Sequence, residues 1–363
     1  MKKPYSLRII SRFLIGFLLM GAIFTYVTFF HQRHSMDDVL DAYGFQTLAQ
    51  KEALKDLFLQ SSVIPSHQSW ENIFPKRSTK EQLAKDLLML LQKVQTQFVL
   101  RSGNKERWEV SPLTWMSKNI DKNFSQLETL GFINAIKPTL STVDAVCILG
   151  STKNSMQQRL DYAETLLQQG IAAKAVILLS GERFVTQEVD GSLQELQAMG
   201  KQLGINDWKQ LTETNILAYL YEMAPLHKRA LPTYVIDTPK GDLPRPTTQS
   251  TLWELVQWLK SHPEIKSILF ISNQPYVCYQ KAIIQSVLQE KGITLSIDVV
   301  GPAASPSSHI QKIAEGLGSY LWAKAPLVLL NMEITLDTKE LQEAFQKLYK
   351  MHPLIYTILP TLP

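Results

Sequence analysis

The sequence predicts an α/β fold, a doubly wound, mostly parallel, Rossmann-like sheet over residues 141–335, with an N-terminal helical lead-in and one transmembrane helix. Three observations carry this. Short, continuously apolar runs recur between residues 143 and 300, and each is followed by a turn signal. Amphipathic helical patterns separate them, and such alternation with wholly apolar strands means a parallel sheet covered on both faces. Near the N-terminus, residues 13–30 form an uncharged, mostly apolar run.

That first run, at about 1.5 Å per helical residue, reaches close to the ~30 Å of a hydrocarbon core. Lys2, Lys3, Arg8 and Arg12 precede it, while Arg33, Asp37, Asp38 and Asp41 follow. Lysine and arginine stay on the cytoplasmic side. The expectation is therefore a single-pass signal-anchor, with a membrane partner through residues 13–30 and the N-terminus inside. The main domain would then lie beyond the inner (cytoplasmic) membrane, in the periplasm of a bacterium. A cleaved signal has a shorter core, roughly 7–15 residues, and ends at small residues; residues 25–30 are bulky.

A chain of 363 residues suffices for one large domain or two ordinary ones. With 45% hydrophobic and 19% charged residues it is a packed globule, not a disordered chain. The net charge of +4 is matched by the four cations before the apolar run, so the remainder is near neutral. No basic block interleaves with aromatics, which speaks against nucleic acid as a partner. Cys147 and Cys278 fall in or beside apolar segments and are expected to be unpaired, buried thiols.

The chain divides into residues 1–35 as anchor, 36–140 as helical lead-in, 141–335 as the Rossmann-like domain, and 336–363 as C-terminal helix and tail. In the lead-in, Leu83, Leu87, Leu90 and Leu91 share one helical face within residues 80–98, and residues 123–136 form another short amphipathic stretch. The first strand is expected over 143–149, before Gly150. A helix over 156–169 follows, with Gly170 placed to end it. The second strand, 175–179, runs into Ser180 and Gly181. A helix over 193–203 is closed by Gly204, and Thr212 caps another running to about 223. Residues 233–237 are the third strand. Thr247 or Thr248 caps a helix carrying Leu252, Leu255, Val256 and Leu259. Residues 267–272 are the fourth strand, 276–290 a helix ended by Gly292, and 294–300 the fifth strand. Helices near 308–323 and 337–350 complete the fold.

In such sheets ligands bind outside the carboxyl ends of the strands. The loops there carry Gly150 and Ser151, then Ser180, Gly181, Glu182 and Arg183, then Arg245 and Thr248, and finally Ser272, Asn273 and Gln274. Amides and hydroxyls at a helix start, with two arginines nearby, favour a small polar or anionic ligand. Each group has a plainer role open to it. Ser151 and Thr248 serve equally as helix caps, Arg183 as one partner of a solvated ion pair with Glu188, Asn273 and Gln274 as turn ties, and Arg159 as a surface residue. As solvent-facing charges, Arg183 and Arg245 are expected to tolerate alanine with little change in stability. The single glycine of the first loop is not a dinucleotide fingerprint, and no Walker loop or G-x-S-x-G elbow occurs. No histidine stands at a middle strand end and no Cys/His spacing suits zinc, so no catalytic triad, metal or cofactor is assigned.

The order DAVCILG, then R-x-x-x-A-x-x-L-x-x-x-G from Arg159 to Gly170, then VILLSGE, then Glu195 and Met199, resembles the YdcF-like family, also called SanA- or ElyC-like. The likeness covers about residues 142–302. It implies a Rossmann-like domain of unknown function, often anchored by one N-terminal helix and linked to the bacterial envelope. It places Gly150, Ser180, Gly181, Glu182 and Ser272 at the family's crevice. The chain departs from the family's T-S-x-x-H-x-x-R-A pattern, with Tyr276 in the histidine slot and Tyr279 in the arginine slot. The usual T-x-E-N helix start is replaced by a stretch beginning at Arg245. This is a divergent member, and imidazole chemistry is not carried over.

The first functional expectation is thus a membrane-anchored, envelope-facing protein whose Rossmann-like domain binds a small ligand in cell-envelope biogenesis. A second is a hydrolase or transferase acting on a phosphate- or sugar-bearing envelope precursor. In it Glu182, Glu188 or Asp237 would act as base, and Arg183 or Arg245 would hold charge. A third is a non-catalytic membrane interaction module that displays the lead-in to an unidentified protein partner.

Overall fold

The computed structural model describes residues 34–99, 114–242, 245–304, 310–334, 336 and 338–350. The lead-in comprises α1 (Met36–Tyr43), α2 (Leu48–Gln60), α3 (Trp70–Ile73), α4 (Lys80–Phe98), α5 (Thr114–Ser117) and α6 (Ile120–Thr129). Then follow β1 (Thr142–Leu149), α7 (Lys153–Gln168), β2 (Ala172–Gly181), α8 (Gln187–Asp190), α9 (Leu193–Gln202), α10 (Glu213–Met223) and β3 (Thr233–Thr238). The second half adds α11 (Thr248–Lys260), β4 (Ser267–Ile271), α12 (Val277–Glu290) and β5 (Ser296–Val300). Two helices, α13 (Ile310–Asn331) and α14 (Lys339–Lys350), end the described chain.

All five strands pair in parallel, in the order β3-β2-β1-β4-β5. The order reverses between β1 and β4, which is the topological switch point where open α/β sheets bind ligands. Period-two alternation splits β1, β2, β4 and β5 between two cores. Cys147, Ile177 and Phe270 face one side. Val146, Leu178 and Leu269 face the other, toward Leu160 of α7 and Leu217 of α10.

The first core extends well beyond the sheet. It joins Leu255 of α11 and Ile283 of α12 to Leu317 and Trp322 of α13, and to Leu87, Leu91 and Phe98 of α4. The lead-in therefore shares one continuous core with the sheet domain. Gly318 lets α13 and α4 approach closely, because a Cβ there would lie 2.6 Å from the Phe98 Cβ. Cys147 and Cys278 are unpaired.

The expected transmembrane helix, and with it the inner-membrane localisation, is corrected. Residues 13–30 lie outside the described residues, and among the described residues no helix is long and apolar enough to cross a membrane. The longest of these, α13, carries Lys312, Glu315 and Lys324 and buries its apolar side chains against protein.

At the amino edge of the sheet Asp144 ties three segments. Its carboxylate accepts from Lys174 Nζ at 2.7 Å and from the backbone amides of Lys266 and Ser267 at 2.9 and 3.0 Å. Lys174 first, then the Lys266 amide, hold this carboxyl down at about 2, against an ordinary 3.8. A carboxyl depressed by folding contributes stability above its unfolded pKa, and that contribution disappears as pH falls through the folded one. The wild-type thermal midpoint should therefore decline between pH 3.8 and about 2 partly through this group. Asp144→Asn should flatten the decline in a pH series of melting curves.

Candidate functional site

The carboxyl edge of β1 and β2 is organised around Glu213, a residue that loop position alone does not single out. Thr212 caps α10 with Asn215 in a reciprocal capping box, which sets Glu213 as the first helical residue. Phe184 bridges Thr212, and the Glu213 amide donates to Arg183 O at 2.8 Å. These contacts aim the Glu213 carboxylate across the ends of β1 and β2. Its Oε1 accepts from Ser180 Oγ at 2.9 Å and its Oε2 from Arg183 Nε at 2.7 Å. Gly150 is required beneath it, since a Cβ there would stand 2.1 Å from Glu213 Oε1 and 2.4 Å from Ser180 Oγ.

Arg183 is not a solvent-facing charge. Its side chain is 13% exposed, and it lies between Glu213 and Asp190, whose side chain is 0% exposed. Nη1 and Nη2 fork onto the Asp190 carboxylate at 2.8 and 3.0 Å, and Nη2 also reaches Ser151 O at 3.1 Å. Burial alone would lower the Arg183 pKa, but Asp190 and Glu213 outweigh it and hold it above its ordinary value. Asp190 also accepts from the backbone amides of Lys153 and Thr186. The expected pairing of Arg183 with Glu188 is thus replaced by pairing with Asp190, two residues further along.

Arg159, the seventh residue of α7, is 1% exposed. Its Nη1 donates to the carbonyls of Leu149 and Gly150 at 2.6 and 2.7 Å, and its Nε and Nη2 both donate to Asn273 Oδ1. The guanidinium thus bridges the switch point from the β1 loop to the β4 loop. Burial pushes its pKa down to about 10, opposed by Glu213 and Tyr276.

The remaining predicted residues divide into two groups. Ser272 is buried, and its amide donates to Val300 O at 2.8 Å. Gln274 is buried too and ties the lead-in, with Nε2 donating to the carbonyls of Gly131 and Asn134 at 2.8 and 2.9 Å. On the β2–β3 side, Gly181 packs under Pro246, and Glu182 accepts from the Lys240 amide at 2.9 Å. Arg245 is partly exposed beside Pro246. Thr248 is the first residue of α11, and the cap is Thr247, paired with Ser250. So Gly150, Ser151, Ser180, Arg183 and Asn273 join one network through Arg159, Glu213 and Asp190. Gly181 and the side chains of Glu182, Thr248, Ser272 and Gln274 make none of the described hydrogen bonds to these three residues.

The two helices flanking the switch point begin without a cap from their own N-cap side chain, as does the short α8. Thr152 makes no side-chain cap to α7, and its hydroxyl turns to Ser155 Oγ at 3.2 Å. Tyr276 makes none to α12. By contrast α9, α10 and α11 each begin with a capping box. Among the described residues no group of three His, Cys, Asp or Glu is placed to hold a metal. No family model matches the chain, and no curated protein matches it.

Proposed function

We propose that this chain is a Rossmann-like binding protein for a small polar or anionic ligand. The ligand sits at the β1/β4 switch point, against the amino ends of α7 and α12. One observation carries this: neither helix that begins at the switch point is capped by its own N-cap side chain, although at α7 the Arg183-paired Asp190 carboxylate takes the Lys153 amide. The positive end of the helix dipole attracts negative charge there. The buried arginines are scaffold. Arg183 is engaged by two carboxylates, and Arg159 by two carbonyls and Asn273. Binding is favoured over turnover because Glu213, Glu182 and Asp237 at this edge are already engaged, while Glu188 is exposed to solvent. Glu213 holds Ser180 and Arg183, Glu182 holds the Lys240 amide, and Asp237 accepts from Thr214 at 2.6 Å. The resemblance to the YdcF-like family supports the same crevice and supplies a setting, cell-envelope biogenesis.

Asn154 tests this directly. It is the exposed second residue of α7. A carboxylate there suits the helix dipole and stabilises it by about 0.3–1 kcal/mol, but repels an anion. Asn154→Asp should therefore keep or raise the melting temperature while weakening binding of inorganic phosphate or a nucleoside monophosphate, by calorimetric titration, about tenfold or more. Unchanged binding in that variant refutes the site.

A further inference from the structure

A cavity of about 320 Å³ opens between the lead-in and the sheet domain. Its wall takes Phe45 from the α1–α2 connection, Phe132 and Ile136 from the segment after α6, Cys278 from α12 and Tyr320 from α13. Exposed Gly44 stands at its rim. The volume falls at the small end of the roughly 300–1,000 Å³ of small-molecule sites, and the lining is mainly apolar and aromatic, as in such sites. None of the network residues of the switch point lines it.

Lys324 of α13 stands directly behind two residues of the wall, Gly44 and Tyr320. Its Nζ donates to Tyr43 O at 2.8 Å and lies 3.1 Å from the Tyr320 hydroxyl, and a Cβ on Gly44 would be 3.5 Å from it. It is half-buried, and among the described residues no carboxylate pairs with it. The titratable groups that act on it are the Cys278 thiol and a second cation, Lys281. An ammonium offers three donors, and two contacts leave one for a ligand. It is a compact point charge without the planar fork of arginine, so it suits a single carboxylate. A fully hydrophilic anion would gain nothing from Phe45, Phe132 and Ile136 and would lose hydration.

We infer that this cavity binds an amphipathic monocarboxylate of the medium-chain fatty-acid type, with its chain against Phe45, Phe132 and Ile136 and its carboxylate on Lys324. The ligand would bridge the lead-in and the sheet domain; because Cys278 lies in the first turn of α12, beside the switch-point crevice, inorganic phosphate serves as the control and should leave its labelling unchanged.

Cys278 provides the readout, because it lines the cavity and is only partly covered, whereas Cys147 is wholly buried. Burial pushes the Cys278 thiol up to about 11 and lowers the Lys324 pKa, so the slow labelling of the full chain with a maleimide is followed at neutral pH, below both. Decanoate should slow labelling of Cys278 in a saturable manner. The uncharged 1-decanol should need about tenfold more ligand for the same protection. Lys324→Met, which keeps an apolar stem, should remove the preference for the acid. Comparing acid with alcohol on the wild-type chain decides the matter even if that variant folds poorly. Equal protection by the two ligands, or none by decanoate, overturns the proposal.

Discussion

Arg183→Ala is expected to destabilise the fold by about 3–5 kcal/mol, the usual cost of removing one partner of a buried ion pair. Truncation leaves Asp190, fully buried, and Glu213, largely buried, without their shared cation. It also releases Ser151 O. The penalty is the desolvation of two carboxylates with no opposing charge, far above the 0–1 kcal/mol of an exposed pair. Arg183→Lys should recover only part of it, because an ammonium cannot fork onto Asp190 while also meeting Glu213. Urea denaturation reads the effect as a lower midpoint, and a midpoint equal to that of the wild type would contradict the buried geometry.

Arg159→Met should cost about 3 kcal/mol or more. Methionine approximates the buried length but donates nothing, so the carbonyls of Leu149 and Gly150 and Asn273 Oδ1 lose their donors inside the protein. Each unsatisfied buried group costs about 1–3 kcal/mol. Loss of this bridge also uncouples the β1 loop from the β4 loop, the two sides of the proposed ligand site. A double-mutant cycle with Asn273→Ala should give a coupling energy of about 0.5–3 kcal/mol. Strict additivity would show that Arg159 acts through neighbours other than Asn273.

The strands were legible because burial on both faces leaves a local trace. Residues 145–149 and 268–271 are continuously apolar, and β1 and β4 contain them. Helix starts were legible for the same reason. Thr212 caps α10 as its position suggests, whereas the choice between Thr247 and Thr248 was decided by the Ser250 contact. Charged residues were not legible in this way. Arg159 adjoins the apolar stripe of its helix, and nothing local separates a surface arginine from one that reaches Asn273 across the sheet. Arg183 was read as solvated because Glu188 stands near it in sequence, yet its partners are Asp190 and Glu213. Glu213 could be located as the residue after a capping threonine, but not directed onto Ser180. Residues 13–30 carry a pattern suited to a bilayer, and their placement is outside what the structure describes.

The sequence by itself thus determined the alternation of strands and helices, the helix caps and the polar character of the strand-end loops. Each of these rests on short-range periodicity or on a hydrogen bond within four residues. Only the tertiary structure decided the strand order, the shared core of lead-in and sheet, and which charges are scaffold. The fate of a charge depends on whether folding removes water from it and what replaces that water. For Arg159 and Arg183 the replacement comes from residues up to 114 positions away along the chain.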